Sequence, residues 1–408
     1  MPSDRDRPCT FVLQRVVEPL ALEELSGIDP SLTDEERLVR ANLRRFVQDR
    51  YLPRAKTLYE REEFPHDLIP ELASLGVLGA SLEGYGCAGM NPVAYGLILE
   101  ELERGDSGLR SFVSVQGSLA MQAIHSFGTE LQKKRFLPEM AQGKLIGCFG
   151  LTEPDSGSDP SSLTTTAHRD GDGWVLSGTK MWITNAPFAG LCVVWARLDG
   201  GGAESIRGFL VERGAKGFET SKISGKMSLR SSETGRIVLD DCRVPASALL
   251  EHKPGLGAAF HCLNEARFGV AWGAIGAAKA CFECVRSYAV SRIQFGAPIA
   301  QKQLVQHQLV EMAADVVKAE LLALHYGRVK QSTGHLLAEQ VSLCKRNNVE
   351  AALRVARASR ALLGANGILL DYPVIRHLLN LESVYTYEGT HEMHTLILGR
   401  GLTGKSAF

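Results

Sequence analysis

Hydrophobic spacing changes twice along this chain, which excludes both a single helical bundle and a single barrel. From about Leu32 to Lys144, apolar residues recur at three- and four-residue steps, the spacing of helices that bury one face. Thr33-Asp34-Glu35-Glu36 opens this stretch with a side-chain cap and an acidic first turn, and Pro65 to Leu78 and Pro92 to Arg104 continue it. Around Ile146 that spacing stops. Short β-rich runs follow at Trp174 to Leu176, Met181 to Thr184, Leu191 to Ala196, Ile206 to Val211 and Arg236 to Leu239, separated by Gly, Asp and Ser. From about Gly255 to Thr403 helical spacing returns in Ala- and Leu-rich stretches, some apolar on more than one face, which predicts burial in a bundle or between subunits. The expectation is an α+β multidomain chain. It has an N-terminal all-α domain over 1–145, a middle antiparallel β-barrel domain over 146–254 and a C-terminal helical bundle over 255–408. A length of 408 residues suits two to three such units.

A formal net charge of −1 carries no basic excess for nucleic acid, and no apolar run reads as long enough to span a bilayer. The N-terminal MPSDRDRPCTFVLQ sets Asp4 and Asp6 among arginines and has no signal-peptide core. The expected location is the cytoplasm of a bacterium, or the mitochondrial matrix in a eukaryote, although no transit peptide is seen. Ser406-Ala407-Phe408 is not a peroxisomal address. Nine scattered cysteines do not form a disulfide framework and fit a reducing compartment. Cys281 and Cys284 form a CxxC inside an Ala-rich helical stretch with no second pair at zinc spacing, so they read as small buried side chains and no metal site is expected.

Three short segments carry the chemistry. The first, Phe149-Gly150-Leu151-Thr152-Glu153-Pro154-Asp155-Ser156-Gly157-Ser158-Asp159, offers hydroxyls and backbone donors in a Gly/Ser-rich turn. The second, Lys180-Met181-Trp182-Ile183-Thr184-Asn185, adds an aromatic wall and a hydroxyl; each alone also reads as a hairpin with an ordinary core residue. The third, Tyr385-Thr386-Tyr387-Glu388-Gly389-Thr390-His391-Glu392, sets a carboxylate beside a glycine, where Glu388 also reads as the cap of a helix from about Thr390 to Leu402. His391 and His394 lack metal-ligand context and read as helix residues.

In this order the three segments resemble the acyl-CoA dehydrogenase family, and the likeness extends over nearly the whole chain from about Leu38. The resemblance implies the same helical, β, helical arrangement, a homotetramer, FAD as cofactor, an acyl-CoA substrate and an electron-transfer flavoprotein as acceptor. It sets Phe149, Leu151, Thr152, Gly157 and Ser158 with Trp182, Ile183 and Thr184 against the flavin. Thr152 then bonds the pyrimidine side, Trp182 packs on the ring and Thr184 reaches the region of N5. Arg292, Gln294 and Phe295, with Gln303 on the next helix, complete the FAD set. The guanidinium suits a pyrophosphate and Phe295 an adenine, and in relatives the arginine and the glutamine reach the FAD of a neighbouring subunit. Leu363, Gly364 and Ala365 resemble the family's glycine-rich turn, with Ala365 in place of the usual second glycine, a change that a negative φ tolerates. Thr390 joins the same set.

Desaturating an acyl thioester removes a weakly acidic α proton as a β hydride leaves, so a base must be placed and the carbonyl polarised. The resemblance gives the first task to Glu388 and the second to its backbone N–H and a flavin ribose hydroxyl. Composition alone leaves Glu103, Ser107, Arg110 and Ser114 as either one solvated helix face or a pocket wall at three- and four-residue steps. The runs Glu101 to Ser111, Phe260 to Arg267 and Thr386 to His391 resemble the glutaryl-CoA dehydrogenase branch of the family. That likeness puts Arg110 and Ser114 on a distal substrate carboxylate with Ser111 and Glu103 in support. It also assigns Ser158 and Phe260, Asn264 and Arg267 to the CoA side, and Tyr387 and Gly389 to the substrate pocket. Leu109 and Phe112 depart from the expected neighbours of Arg110.

The implied reaction is FAD-dependent oxidative decarboxylation of glutaryl-CoA to crotonyl-CoA and CO2, with α-proton abstraction by Glu388 and β-hydride transfer to flavin N5, as used in lysine and tryptophan degradation. Retention of both Glu103 and Tyr387 favours the decarboxylating type. The competing readings are a non-decarboxylating glutaryl-CoA desaturase, a dehydrogenase of another short-chain or dicarboxylyl acyl-CoA, and an oxidase. A helical scaffold without chemistry is disfavoured by the intact Glu388 and both flavin segments.

Overall fold

The computed structural model describes residues 20–251 and 254–407; the sequence readings at the N-terminus and at Phe408 lie outside them. Thr33 caps the Asp34–Phe46 helix as expected: its hydroxyl accepts from the Glu36 N–H at 3.2 Å, and Glu36 accepts from the Thr33 N–H at 2.9 Å. Pro65 to Leu78 gives less helix than its spacing suggests, a 3₁₀ turn at His66–Leu68 and a short helix at Ile69–Ser74, after which Gly76 turns left-handed at φ +70°.

The middle of the chain is one curled sheet of β1 (Gly147–Gly150), β2 (Thr166–Asp170), β3 (Gly173–Thr184), β4 (Leu191–Leu198), β5 (Ile206–Glu212), β6 (Phe218–Lys222) and β7 (Thr234–Pro245). The order is β1-β4-β2-β3-β7-β6, with β5 on β4. The two runs around Trp174 and Met181 are one strand, bulged between Leu176 and Gly178 and again between Lys180 and Ile183. Most of the ladder is antiparallel, but β1 and β2 both run parallel to β4. Gln116 joins this sheet to the helices: its amide nitrogen donates to Met140 O and Leu145 O, and its oxygen accepts from the Gly147 N–H at 2.6 Å.

The two helical blocks, separate in sequence, share one core. Leu43, Leu99 and Leu102 pack in the same cluster as Val270, Ile275, Val316, Val349 and Leu381. The Gly257–Ser291 helix lies at its centre, and glycines on it let the Pro92–Gly105 helix approach closely. A Cβ at Gly276 would lie 1.9 Å from the Glu100 carbonyl oxygen. The sequence reading of no membrane-length apolar run needs correction, because this helix is long and apolar enough by length and composition. However, 89% of its apolar window is buried inside the protein, where core helices are apolar all round. Cys281 is buried on it and Cys284 partly so, both as free thiols.

Candidate active site

The Pro373–Thr386 helix ends and the His391–Thr403 helix begins within four residues, and Glu388 sits in the turn between them. The helix cap is Thr390, whose hydroxyl accepts from the Met393 N–H at 3.2 Å, so the carboxylate of Glu388 is not used as a cap. Glu388 adopts the left-handed region at φ +52°, followed by Gly389 at φ +91°. A Cβ on Gly389 would meet His394 Nε2 at 2.9 Å, so both the backbone and the space require glycine there. Glu388 Oε2 is buried and has no hydrogen-bond partner. Burial raises the Glu388 carboxyl above the usual carboxylate range, and the nearby Arg110, Arg267 and Lys345 only partly oppose it.

Arg110 reaches this turn from the Ser107–Ser114 helix. The expected continuous face is in fact two helices. Asp106 breaks them in an extended conformation (φ −167°, ψ 143°) and caps the second by accepting from the Gly108 N–H at 2.7 Å. Its other oxygen accepts from Arg376 and Asn380 on the Pro373–Thr386 helix, which ties the break to the element that leads to Glu388. Across the break, Arg110 Nε donates to Glu103 Oε2 at 2.6 Å, and the Ser107 hydroxyl donates to Glu103 Oε1 at 2.7 Å. Arg110 Nη2 donates to the Tyr387 hydroxyl. Burial works against the Arg110 charge, but Glu103, Tyr387 and Glu388 together outweigh it and keep the guanidinium protonated. Gly273 makes room for the pair, since a Cβ there would lie 2.1 Å from Glu103 Oε2. The Ser111 and Ser114 hydroxyls are buried without partners. Leu109 and Phe112 point into the core instead, with Phe112 tilted on Phe64 at 4.7 Å.

The Phe260 to Arg267 segment lies on the central helix. Phe260 is exposed, whereas Arg267 is buried and donates from Nε to Glu388 O at 2.7 Å and from Nη1 to Asn264 Oδ1 at 3.2 Å. Sequence reasoning did not single out Lys345 of the Ala338–Leu362 helix, whose Nζ donates to Tyr387 O at 3.0 Å and Gly389 O at 2.8 Å. One sequence signal could have found it: Lys345 shares the buried stripe of Val341, Asn348 and Ala352.

Phe149 and Leu151 are buried at the end of β1, and the Met181 N–H donates to Thr152 O at 2.9 Å, bringing the first two motif segments together. Glu153 fastens them. It accepts from Lys180 Nζ at 2.8 Å and from the N–H groups of Thr164 and Thr165 at 2.6 and 2.9 Å, as well as from both hydroxyls. Burial alone would raise the Glu153 carboxyl, but Lys180 and these donors bring it down to about 2. On the lysine's side burial wins and brings Lys180 down to about 8. The Glu153 contribution is therefore present above about pH 4.5 and lost as pH falls toward 2, while the charged lysine costs stability at neutral pH. Glu153→Gln strands the Lys180 ammonium and should destabilise by roughly 3 kcal/mol. Lys180→Met should cost less, because the threonine donors still satisfy Glu153. Thermal melts of both flavin-loaded variants at pH 7 check the order.

Trp182 is 57% exposed at φ +63°, with Ile183 buried behind it and Thr184 half-buried beside it, while Gly157 and Ser158 are exposed. An open aromatic face, hydroxyls and a glycine turn without Cβ contacts fit an isoalloxazine and its hydrogen bonds. Arg292, Gln294 and Phe295 stand apart on a two-stranded turn of β8 (Ile293–Gln294) and β9 (Ala297–Pro298). Phe295 is 93% exposed there, and Gln303 is exposed on the next helix. Leu363 is buried, Gly364 takes φ +61°, and Ala365 stays out of the left-handed region, so its methyl is not strained. Among the described residues no three metal-ligating side chains cluster, and His391 stacks on Tyr385.

Comparison with known proteins accords with this arrangement. Residues 33–144 match the acyl-CoA dehydrogenase N-terminal domain, 148–242 the middle domain and 253–403 the C-terminal domain. A crystal structure of glutaryl-CoA dehydrogenase from Mycobacterium smegmatis is 55% identical, with a TM-score of 0.93 over 96% of this chain and 100% of that one. A glutaryl-CoA dehydrogenase from the same organism in complex with FADH2 is 50% identical, with the same coverage and a TM-score of 0.93. The mitochondrial short-chain specific acyl-CoA dehydrogenase of Homo sapiens is 32% identical over 391 residues, 94% of each chain. The cofactor is accordingly FAD, and the chain belongs to the acyl-CoA dehydrogenase family.

Proposed function

We propose that this chain oxidatively decarboxylates glutaryl-CoA to crotonyl-CoA and CO2. The observation that carries the reading is Arg110, a buried guanidinium with two of its five N–H donors engaged by Glu103 and Tyr387, beside the buried and unpartnered hydroxyls of Ser111 and Ser114. An apolar acyl tail would leave those donors unused, whereas a terminal carboxylate takes them. Bound FAD supplies the acceptor for the β hydride. Glu388 removes the α proton, and its backbone N–H polarises the thioester carbonyl. Breaking the bond to the distal carboxylate then leaves an electron pair that the thioester delocalises, and protonated Glu388 is placed to return the proton. Glu103 balances the Arg110 charge, and Tyr387, whose hydroxyl burial holds above its ordinary pKa, stays protonated. Because Glu388 must be ionised to act and burial raises its pKa, turnover should fall on the acid side at a pH above the ordinary carboxylate range.

Family membership supports an electron-transfer flavoprotein as acceptor. A homotetramer is supported by apolar side chains left open on the C-terminal half, among them Phe295, Leu304, Val310 and Leu402. The deciding experiment mixes the protein anaerobically with glutaryl-CoA and an artificial acceptor and identifies the products by mass. Crotonyl-CoA with CO2 is expected. Glutaconyl-CoA alone would leave a non-decarboxylating desaturase, and flavin bleaching by butyryl-CoA but not glutaryl-CoA would remove the dicarboxylate reading.

A further inference from the structure

We infer that Lys345 is a positioning residue for the reaction: its ammonium holds the two peptide carbonyls flanking Glu388 and so aims both the carboxylate and the Glu388 N–H at the thioester. The inference rests on Glu388 being the base. Three successive carbonyls are tied down by cations from two different helices, those of Tyr387 and Gly389 by Lys345 and that of Glu388 by Arg267. None of the described peptide bonds is cis, and in a trans peptide the N–H points opposite its C=O. Turning Tyr387 O toward Lys345 therefore turns the Glu388 N–H away from it, on the side where a thioester carbonyl would accept. The same clamp holds a glutamate at φ +52°, a conformation that L side chains avoid unless the surroundings impose it.

A lysine is a costly choice for this place if packing alone matters. Lys345 is 1% exposed, and burial brings its ammonium down to about 7 even though Glu388 opposes the shift. A leucine or methionine would fill the same space without that cost. The charged and titratable groups facing it come from several elements: Glu388 from the turn, Arg267 from the central helix, Arg110 from the Ser107–Ser114 helix, and His391, Glu392 and His394 from the last helix. Among the groups acting on Glu388, Lys345 favours its ionised form, so loss of the ammonium should move the acidic limb of turnover upward.

The test compares FAD-loaded wild type, Lys345→Met, Lys345→Gln and Glu388→Gln on an acyl-CoA that the wild type turns over. Kcat, KM, flavin content and the pH profile of kcat are read for each. Lys345→Met should lower kcat about a hundredfold, leave KM within about threefold and shift the acidic limb up by about one pH unit. Lys345→Gln keeps N–H donors for the carbonyls but no charge, so it should regain about tenfold in kcat while keeping the shifted limb. A flavin-loaded Lys345 variant with wild-type kcat and an unmoved limb overturns the inference. If Lys345→Met fails to fold, the limb of Lys345→Gln decides alone. Turnover by Glu388→Gln would sink the assignment of the base itself, whereas an inactive Glu388→Gln beside a normal Lys345→Gln sinks only the positioning role.

Discussion

Glu388→Gln is expected to lower flavin reduction by acyl-CoA by at least about 10³-fold while FAD remains bound. The swap keeps shape and volume in the turn, and the carbonyls of residues 387 to 389 keep their cationic donors. What it removes is the proton acceptor. Oε2 of Glu388 is buried with no partner, so its loss breaks no hydrogen bond in the free protein and the fold should not suffer. Removing a desolvated carboxylate surrounded by Arg110, Arg267 and Lys345 leaves those cations less balanced, so a lower pKa for Lys345 is a side effect to expect. Stopped-flow bleaching of the flavin, with flavin content and melting temperature measured on the same preparation, gives the answer; normal bleaching would sink the assignment.

The second large effect is expected in substrate choice. Arg110→Met should reduce kcat/KM for glutaryl-CoA by about 10² to 10⁴-fold more than for butyryl-CoA, because only the dicarboxylyl substrate loses a buried charged partner. The substitution also leaves the Glu103 carboxylate buried without its guanidinium, a structural cost common to both substrates. The double variant Glu103→Gln with Arg110→Met removes that stranded charge and should restore butyryl-CoA turnover more than glutaryl-CoA turnover. Equal losses on both substrates in single and double variants would make Arg110 a structural residue.

Features decided within a few residues were legible in sequence. Thr33 and Glu36 form their reciprocal cap because both partners lie in one turn, and Pro92 begins a helix at the position expected of it. The Trp174 and Met181 runs were legible as strand but not as one strand, since the bulges that join them depend on pairing with β7. The Asp106 break was hidden for a similar reason. An aspartate in an apolar-periodic stretch stands at the helix break here with its second oxygen accepting from Arg376 and Asn380, far along the chain. Likewise, the apolar Gly257–Ser291 run is a core helix because two blocks of the chain enclose it.

By itself, the sequence determined the order of helical and β segments, the family, and which short segments carry the candidate site, because spacing and motif chemistry are local properties. Tertiary structure alone decided that the two helical blocks form one core, that Thr390 rather than Glu388 caps the last helix, and that Arg267 and Lys345 hold the turn carrying the carboxylate. Those decisions depend on which long-range partner satisfies each buried donor or charge. Unsatisfied groups are costly in the interior, so the fold settles their pairing only when distant helices meet.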